Sequence, residues 1–192
     1  MGRPSKFDAD HLLDAAADLV AEAGPSAVTM SAVAEATGAS NGSVYHRFPD
    51  RPALLAALWL RTVERFQRGV LETMRLEPPQ RAVSRSAGYV VAWARRNPRD
   101  AAVLLAGAGE FARGQWSEAA REALQRSNTA IAEAITDLAR RLGGRDPRDT
   151  DRVTIAIVDL PEATIRRYLR SGRPIPADAD GLVERAAAAL LS

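Results

Sequence analysis

With 192 residues and no cysteine, the chain can hold neither disulfides nor thiolate metal sites, and its hydrophobic share of 46% is ordinary for a globular protein. Its formal charge of +2 does not by itself argue for nucleic acid, although a pI near 9.5 is compatible with it. No apolar run approaches the roughly 18 residues of a membrane span, and the start MGRPSKFDAD lacks the apolar stretch of a signal peptide, so a cytoplasmic protein with no membrane association is expected. The apolar residues are mainly Ala and Leu with few β-branched runs, which predicts an all-α protein of about nine helices.

Residues 1–7 are a polar arm too short and too rich in helix breakers to fold alone. It is either a disordered tail or a DNA-contacting arm in which Arg3 or Lys6 reaches phosphate or a narrow minor groove. Asp8 can cap a first helix, whose Leu12, Ala16, Leu19, Val20 and Ala23 recur at helical spacing until Gly24 and Pro25 stop it. That helix is acidic through Asp8, Asp10, Asp14, Asp18 and Glu22 and is expected to face away from DNA. Arg3, Lys6, His46, Arg47 and Arg51 lie instead at the two ends of the motif region.

The stretch from Thr29 to Phe48 carries the spacing of a helix-turn-helix. Counting Met30 as the first place, Ala34 falls fifth, Gly38 ninth and Val44 fifteenth. Two helices crossing steeply need a small residue where their backbones approach, and the turn between them needs a left-handed residue, a conformation that costs glycine almost nothing. Val33, Ala39, Val44 and Phe48 supply the inward face, with Thr29 and Ser40 as N-caps and Thr29 also an expected DNA contact. The third helix, from Asn41 to about Arg47, starts small. Ser40, Asn41, Gly42 and Ser43 can enter a major groove and present donors and acceptors to base edges, while Tyr45 and His46, one turn on, reach phosphate oxygens. The bland alternatives are a core aromatic for Tyr45 and a merely solvated residue for His46.

YHRF followed by PDRPALL, after ATGASNGSV, resembles the TetR family of bacterial transcriptional repressors. Ala39 stands where Val is more usual in that family and Asn41 where Lys is common, departures that touch sequence preference more than fold. The resemblance implies a homodimeric, ligand-responsive regulator that binds an inverted-repeat operator in double-stranded DNA. It also implies a helix-turn-helix domain over residues 1–50 and a larger helical ligand-binding and dimerisation domain over 51–192.

Asp50 is the expected N-cap of the fourth helix, with Pro52 in its first turn, and the exposed amides there beside Arg51 form an expected seat for a phosphate. From Leu54 to Met74 an apolar face continues to about Arg75, joining the reading head to the larger domain. Further helices are expected over about 80–96, from about 99, and over about 117–142, 149–171 and 178–191, with a break between Gly107 and Gly114 and a kink at Pro161. Phe66, Tyr89, Trp93, Phe111 and Trp116 concentrate aromatic surface in this part. They predict a pocket among helices 4 to 8, with Asn128 and Arg113 available to orient a polar group of a mostly apolar effector. The alternative is that the rings fill the core and that Asn128, which interrupts the apolar stripe of its helix, is a buried hydrogen bonder.

Glu162 falls in an apolar row and has no account in the sequence. The last two helices carry apolar faces wider than one core needs, which predicts a homodimer through them. No cofactor or metal site is expected. An enzyme is one rival reading, against which stand only two histidines, no cysteine, no nucleophile elbow and no glycine-rich phosphate loop. The other rival is a helical adaptor of the same fold without DNA binding.

Overall fold

The computed structural model describes residues 8–191, and among them there is no strand. Arg3 and Lys6 lie outside the described residues. The helices are α1 (Ala9–Ala23), α2 (Met30–Thr37), α3 (Asn41–Arg47), α4 (Arg51–Met74), α5 (Pro79–Arg96), α6 (Pro98–Ala106), α7 (Glu118–Arg141), α8 (Pro147–Thr154), α9 (Leu160–Arg170) and α10 (Ala179–Leu190). Helix α8 runs through a π turn, Ile155–Asp159, into α9, so 147–170 is one continuous helical run and the described residues form nine such runs. The expected break after α6 consists of two short 3-10 turns, Ala108–Phe111 and Arg113–Gln115, joined by Ala112 in the left-handed region at φ 54°. No described helix is long and apolar enough to cross a membrane.

The chain divides into two compact units, each described by itself below. The first comprises the described part of Met1–Val63 with Pro98–Gln125, and the second Glu64–Asn97 with the described part of Arg126–Ser192. The first unit therefore reaches past residue 50, taking in the start of α4, all of α6 and the start of α7. Its core is built from Leu12 and Ala16 of α1, Val33 of α2, Val44 of α3 and Leu54, Leu55 and Leu58 of α4, all fully buried. Burial of each of the Val and Leu side chains contributes roughly 1.5–3 kcal/mol.

The acidic face of α1 has a job within this unit. Arg61 is almost covered and bridges Asp10 at 3.1 Å and Asp14 at 2.9 Å, while Arg99 holds Asp18 at 2.8 Å. The carboxylates that sequence reading assigned only to a face turned from DNA are thus docked on α4 and α6.

In the second unit α5 and α10 pack together through Ala82, Val83, Ala87 and Val91 on one side and Val183 and Ala187 on the other, all buried. Arg95 pins that pair, donating to both carboxylate oxygens of Asp180 at 3.2 and 3.1 Å and to the Pro176 carbonyl at 3.1 Å. Arg141 donates to the carbonyls of Met74 and Leu76 and to the Glu77 carboxylate, tying the end of α7 to the exit of α4. Pro161 lacks the N–H that would continue the α-helical ladder. The disturbance expected there appears just upstream as the π turn, in which the Leu160 amide donates to the Ile155 carbonyl.

Candidate nucleic-acid interface

The helix-turn-helix is assembled from caps. Thr29 Oγ1 accepts from the Ala32 amide at 3.0 Å to start α2, and Ser40 Oγ accepts from the Ser43 amide at 3.2 Å to start α3. Between them Gly38 sits at φ 68°, ψ 18°, the left-handed conformation that ends α2, and the Ala39 amide then donates back to the Ala34 carbonyl at 3.0 Å. Val33 and Val44 are fully buried and Phe48 nearly so, which locks both helices onto the core.

What remains outside is the reading surface. Helix α3 buries only Val44, and Ser40, Asn41, Gly42, Tyr45 and His46 are exposed, with Ser43 half-buried. Tyr45 keeps 53% of its surface exposed and its hydroxyl has no hydrogen-bond partner among the described residues. It is therefore not a core aromatic. Thr29, Met30, Ser31, Asn41, Tyr45 and Arg51 line a cleft of about 310 Å³ between the starts of α2, α3 and α4, bringing four of the expected contact residues to one place.

Arg51 and the start of α4 differ from expectation in their detail. Arg51 Nε donates to the Val28 carbonyl at 2.6 Å and its Nη2 to the Pro25 carbonyl at 3.0 Å. The Asp50 carboxylate accepts from the Ala53 amide at 2.8 Å. The carboxylate thus takes one of the helix's leading amides and sets negative charge where a phosphate was expected to rest. Arg51 is first a strut that holds the chain before α2 against α4, and only its remaining N–H groups face the cleft.

Residues 12–58 match the bacterial regulatory proteins of the tetR family. This part of the chain is a tetR-family domain. The fold of the whole chain is that of solved transcriptional regulators. A TetR-family regulator, PfmR of Thermus thermophilus, superposes with a TM-score of 0.69 at 18% identity, over 96% of each chain. A transcriptional regulator of Rhodococcus sp. Rha1 gives 0.74 at 20% identity, over 96% of this chain and 94% of that one. The regulator FadR of Bacillus subtilis, solved in complex with stearoyl-CoA, gives 0.72 at 15% identity, over 96% and 97%. No curated protein matches the chain by sequence.

The residues expected to line one effector pocket fall into different units. In the second unit Phe66 meets Trp93 edge-on with ring centroids 5.1 Å apart and lies 6.4 Å from Tyr89. The Tyr89 hydroxyl rests on Gly69, where an added Cβ would overlap the phenol ring, so glycine is what admits the ring to α4. Burial raises the Tyr89 phenol above its ordinary value, with Arg96 opposing and Glu72 adding to the rise.

Asn128, also in the second unit, is exposed, so the burial that would have demanded a structural partner for it does not arise. With Gln67 it borders an otherwise largely apolar groove of about 410 Å³, floored by Ile131, Ile135 and Val158. Neither amide has a hydrogen-bond partner among the described residues. Gln67 gave no signal in the sequence, because a lone amide beside an apolar helix stripe looks the same as an ordinary solvated residue. In the first unit Phe111 is fully buried, its ring 5.2 Å from that of Trp59, and Trp116 Nε1 donates to the Phe111 carbonyl at 2.7 Å. These two aromatics are packing residues of the core, and Arg113 is exposed. Among the described residues no group of His, Asp or Glu side chains is arranged to hold a metal ion.

Proposed function

We propose that this chain is a homodimeric transcriptional repressor of the cytoplasm, whose residues 1–50 read an inverted-repeat operator and whose residues 51–192 dimerise and take a mostly apolar effector that releases the DNA. The observation that carries DNA reading is α3: a helix anchored by one buried valine and two caps, with Asn41, Gly42, Tyr45 and His46 turned outward and the Tyr45 hydroxyl unspent. Asn41 and Ser43 stand where base edges are met, and Tyr45, His46, Thr29 and Arg51 where phosphates are. Enrichment of genomic fragments on the purified protein tests this. The expected product is an inverted repeat with half-sites about one helical turn or more apart. Recovery of no sequence above background would favour the adaptor of the same fold.

Dimerisation is supported by where apolar side chains remain uncovered. Among the described residues, and apart from Tyr45, the large hydrophobic residues left exposed are Ile155, Leu169, Leu182 and Leu190, all from the π turn to the end of α10. Light scattering should give about twice 20.6 kDa, and Leu190→Asp should shift the protein toward monomer. The effector reading rests on the Phe66–Tyr89–Trp93 cluster and on the groove with two unpaired amides, together with the stearoyl-CoA that the Bacillus subtilis regulator holds. Release of DNA requires that such a ligand bind one of two conformations better than the other. Trp93→Ala, compared with wild type under conditions where circular dichroism shows both folded, should abolish the response of operator binding to a fatty acyl-CoA panel while the folded variant still binds operator in its absence.

A further inference from the structure

The outward stripe of α9 and the π turn before it carries its charges in a particular order. Asp159, Glu162, Arg166 and Arg170 follow one another at spacings of three and four residues, which places them on one face of the helix. The acids come first and the bases last. Glu162 accepts from Arg166 Nε and Nη2, both at 2.8 Å, and the two side chains remain 43% and 39% exposed. Asp159 and Arg170 have no ion-pair partner among the described residues. Ile155 and Leu169 stand uncovered beside the stripe, and exposed Ala163 lies near its middle.

We propose that this stripe is the charge key by which two copies of the chain recognise each other. The copies meet about a two-fold axis beside Thr164, so that Glu162 faces Arg166 of the partner subunit and Asp159 faces Arg170 of the partner subunit. The argument is one of symmetry. A two-fold axis across the helix reverses the stripe, and an order of acid then base, read backwards, complements itself. Parallel alignment would set acid on acid and base on base. A second copy of this chain is therefore the occupant whose charges fit.

Ala163 lets the two helices approach at the crossing, and Ile155 and Leu169 supply apolar contact around it. Each Glu162 gains a second guanidinium, converting two exposed intrahelical pairs of little stabilising value into one closed network of four charges. The key discriminates against chains of the same fold whose stripes lack this order, because like charges then meet at the axis. It accounts for Glu162, an acid in an otherwise apolar row. The inference rests on the homodimer reading above.

The test uses three full-length variants, Glu162→Arg, Arg166→Glu and the double exchange, each followed by sedimentation and native mass spectrometry, with helix content checked by circular dichroism. Each single variant puts like charges across the axis and should weaken its own homodimer by about tenfold or more. An equimolar mixture of the two single variants should form the heterodimer in preference to either homodimer. The double exchange should regain the homodimer. If the pair acts only within its own helix, mixing restores nothing, and that result overturns the key. Single variants that dimerise as tightly as wild type overturn it as well, leaving the homodimer intact. A wild-type chain that stays monomeric at micromolar concentration overturns the key and the homodimer reading together.

Discussion

Helices α3 and α5 are held in place by opposite means. Helix α3 buries one side chain, Val44, and depends for its position on Ser40, Gly38 and Phe48 at its borders, so nearly its whole surface is at liberty to meet something else. Helix α5 buries eight residues between Ala82 and Ala94 and carries Tyr89 and Trp93 in a ring cluster with Phe66. A functional surface built the first way can change its side chains without loss of stability. One built the second way cannot, because the groups that would grip an effector are also the groups that fill the core.

Substitutions that separate stability from binding sharpen or break that contrast. The largest effect is expected at Trp93: Trp93→Ala should lower the unfolding free energy by roughly 3–5 kcal/mol in denaturant titration, as truncation of a core aromatic does. A loss under about 1 kcal/mol would place the ring outside the packing and erase the distinction. Gly38→Val should cost at least about 1–2 kcal/mol through backbone conformation alone, since nothing lies within 4 Å of the added Cβ, and Gly38→Asn should cost less.

Asp180→Asn should cost about 1–2 kcal/mol at neutral pH, the order expected for a hydrogen-bonded charge pair. The Arg95 guanidinium bonded to Asp180 holds its carboxyl below the usual carboxylate value, against the opposing effect of burial. A depressed folded pKa contributes stability that is fully present above the unfolded value of about 3.9 and is lost as pH falls through the folded one. Wild type and variant should therefore converge in stability as the solution is acidified, and parallel curves would show that the pair contributes nothing specific. Loss of the Ser40 cap is smaller still, about 1 kcal/mol for Ser40→Ala, read as a lowered melting temperature.

The head was legible because its signals are local. Thr29, Gly38 and Ser40 each act on amides or carbonyls within five residues, and the structure places α2 and α3 on the residues expected from those signals alone. The strut made by Arg51 was not legible, because its partners, Val28 and Pro25, are distant in the chain and no local pattern announces them. The same holds for Arg61 on Asp10 and Asp14, which docks α4 on part of the acidic face of α1. Aromatic enrichment was visible in the sequence, but which rings meet was not: Phe111 pairs with Trp59, a residue read only as part of an apolar stripe. The consequence of Pro161 was foreseen as a kink, whereas periodicity gave no sign that an extra residue would be taken up as a π turn.

The central claim is that α3 reads DNA with its outward face, and it is tested most directly by measuring the affinity of wild type, Tyr45→Ala and Asn41→Ala for a panel of single-base operator variants by fluorescence anisotropy. Both substitutions should leave thermal stability within about 0.5 kcal/mol of wild type, because neither side chain is buried. Tyr45→Ala should weaken binding to every sequence by roughly 1–3 kcal/mol, and Asn41→Ala should change the preferred base at one position of each half-site. Unchanged affinity in Tyr45→Ala, together with a uniform loss across all sequences in Asn41→Ala, would contradict the account.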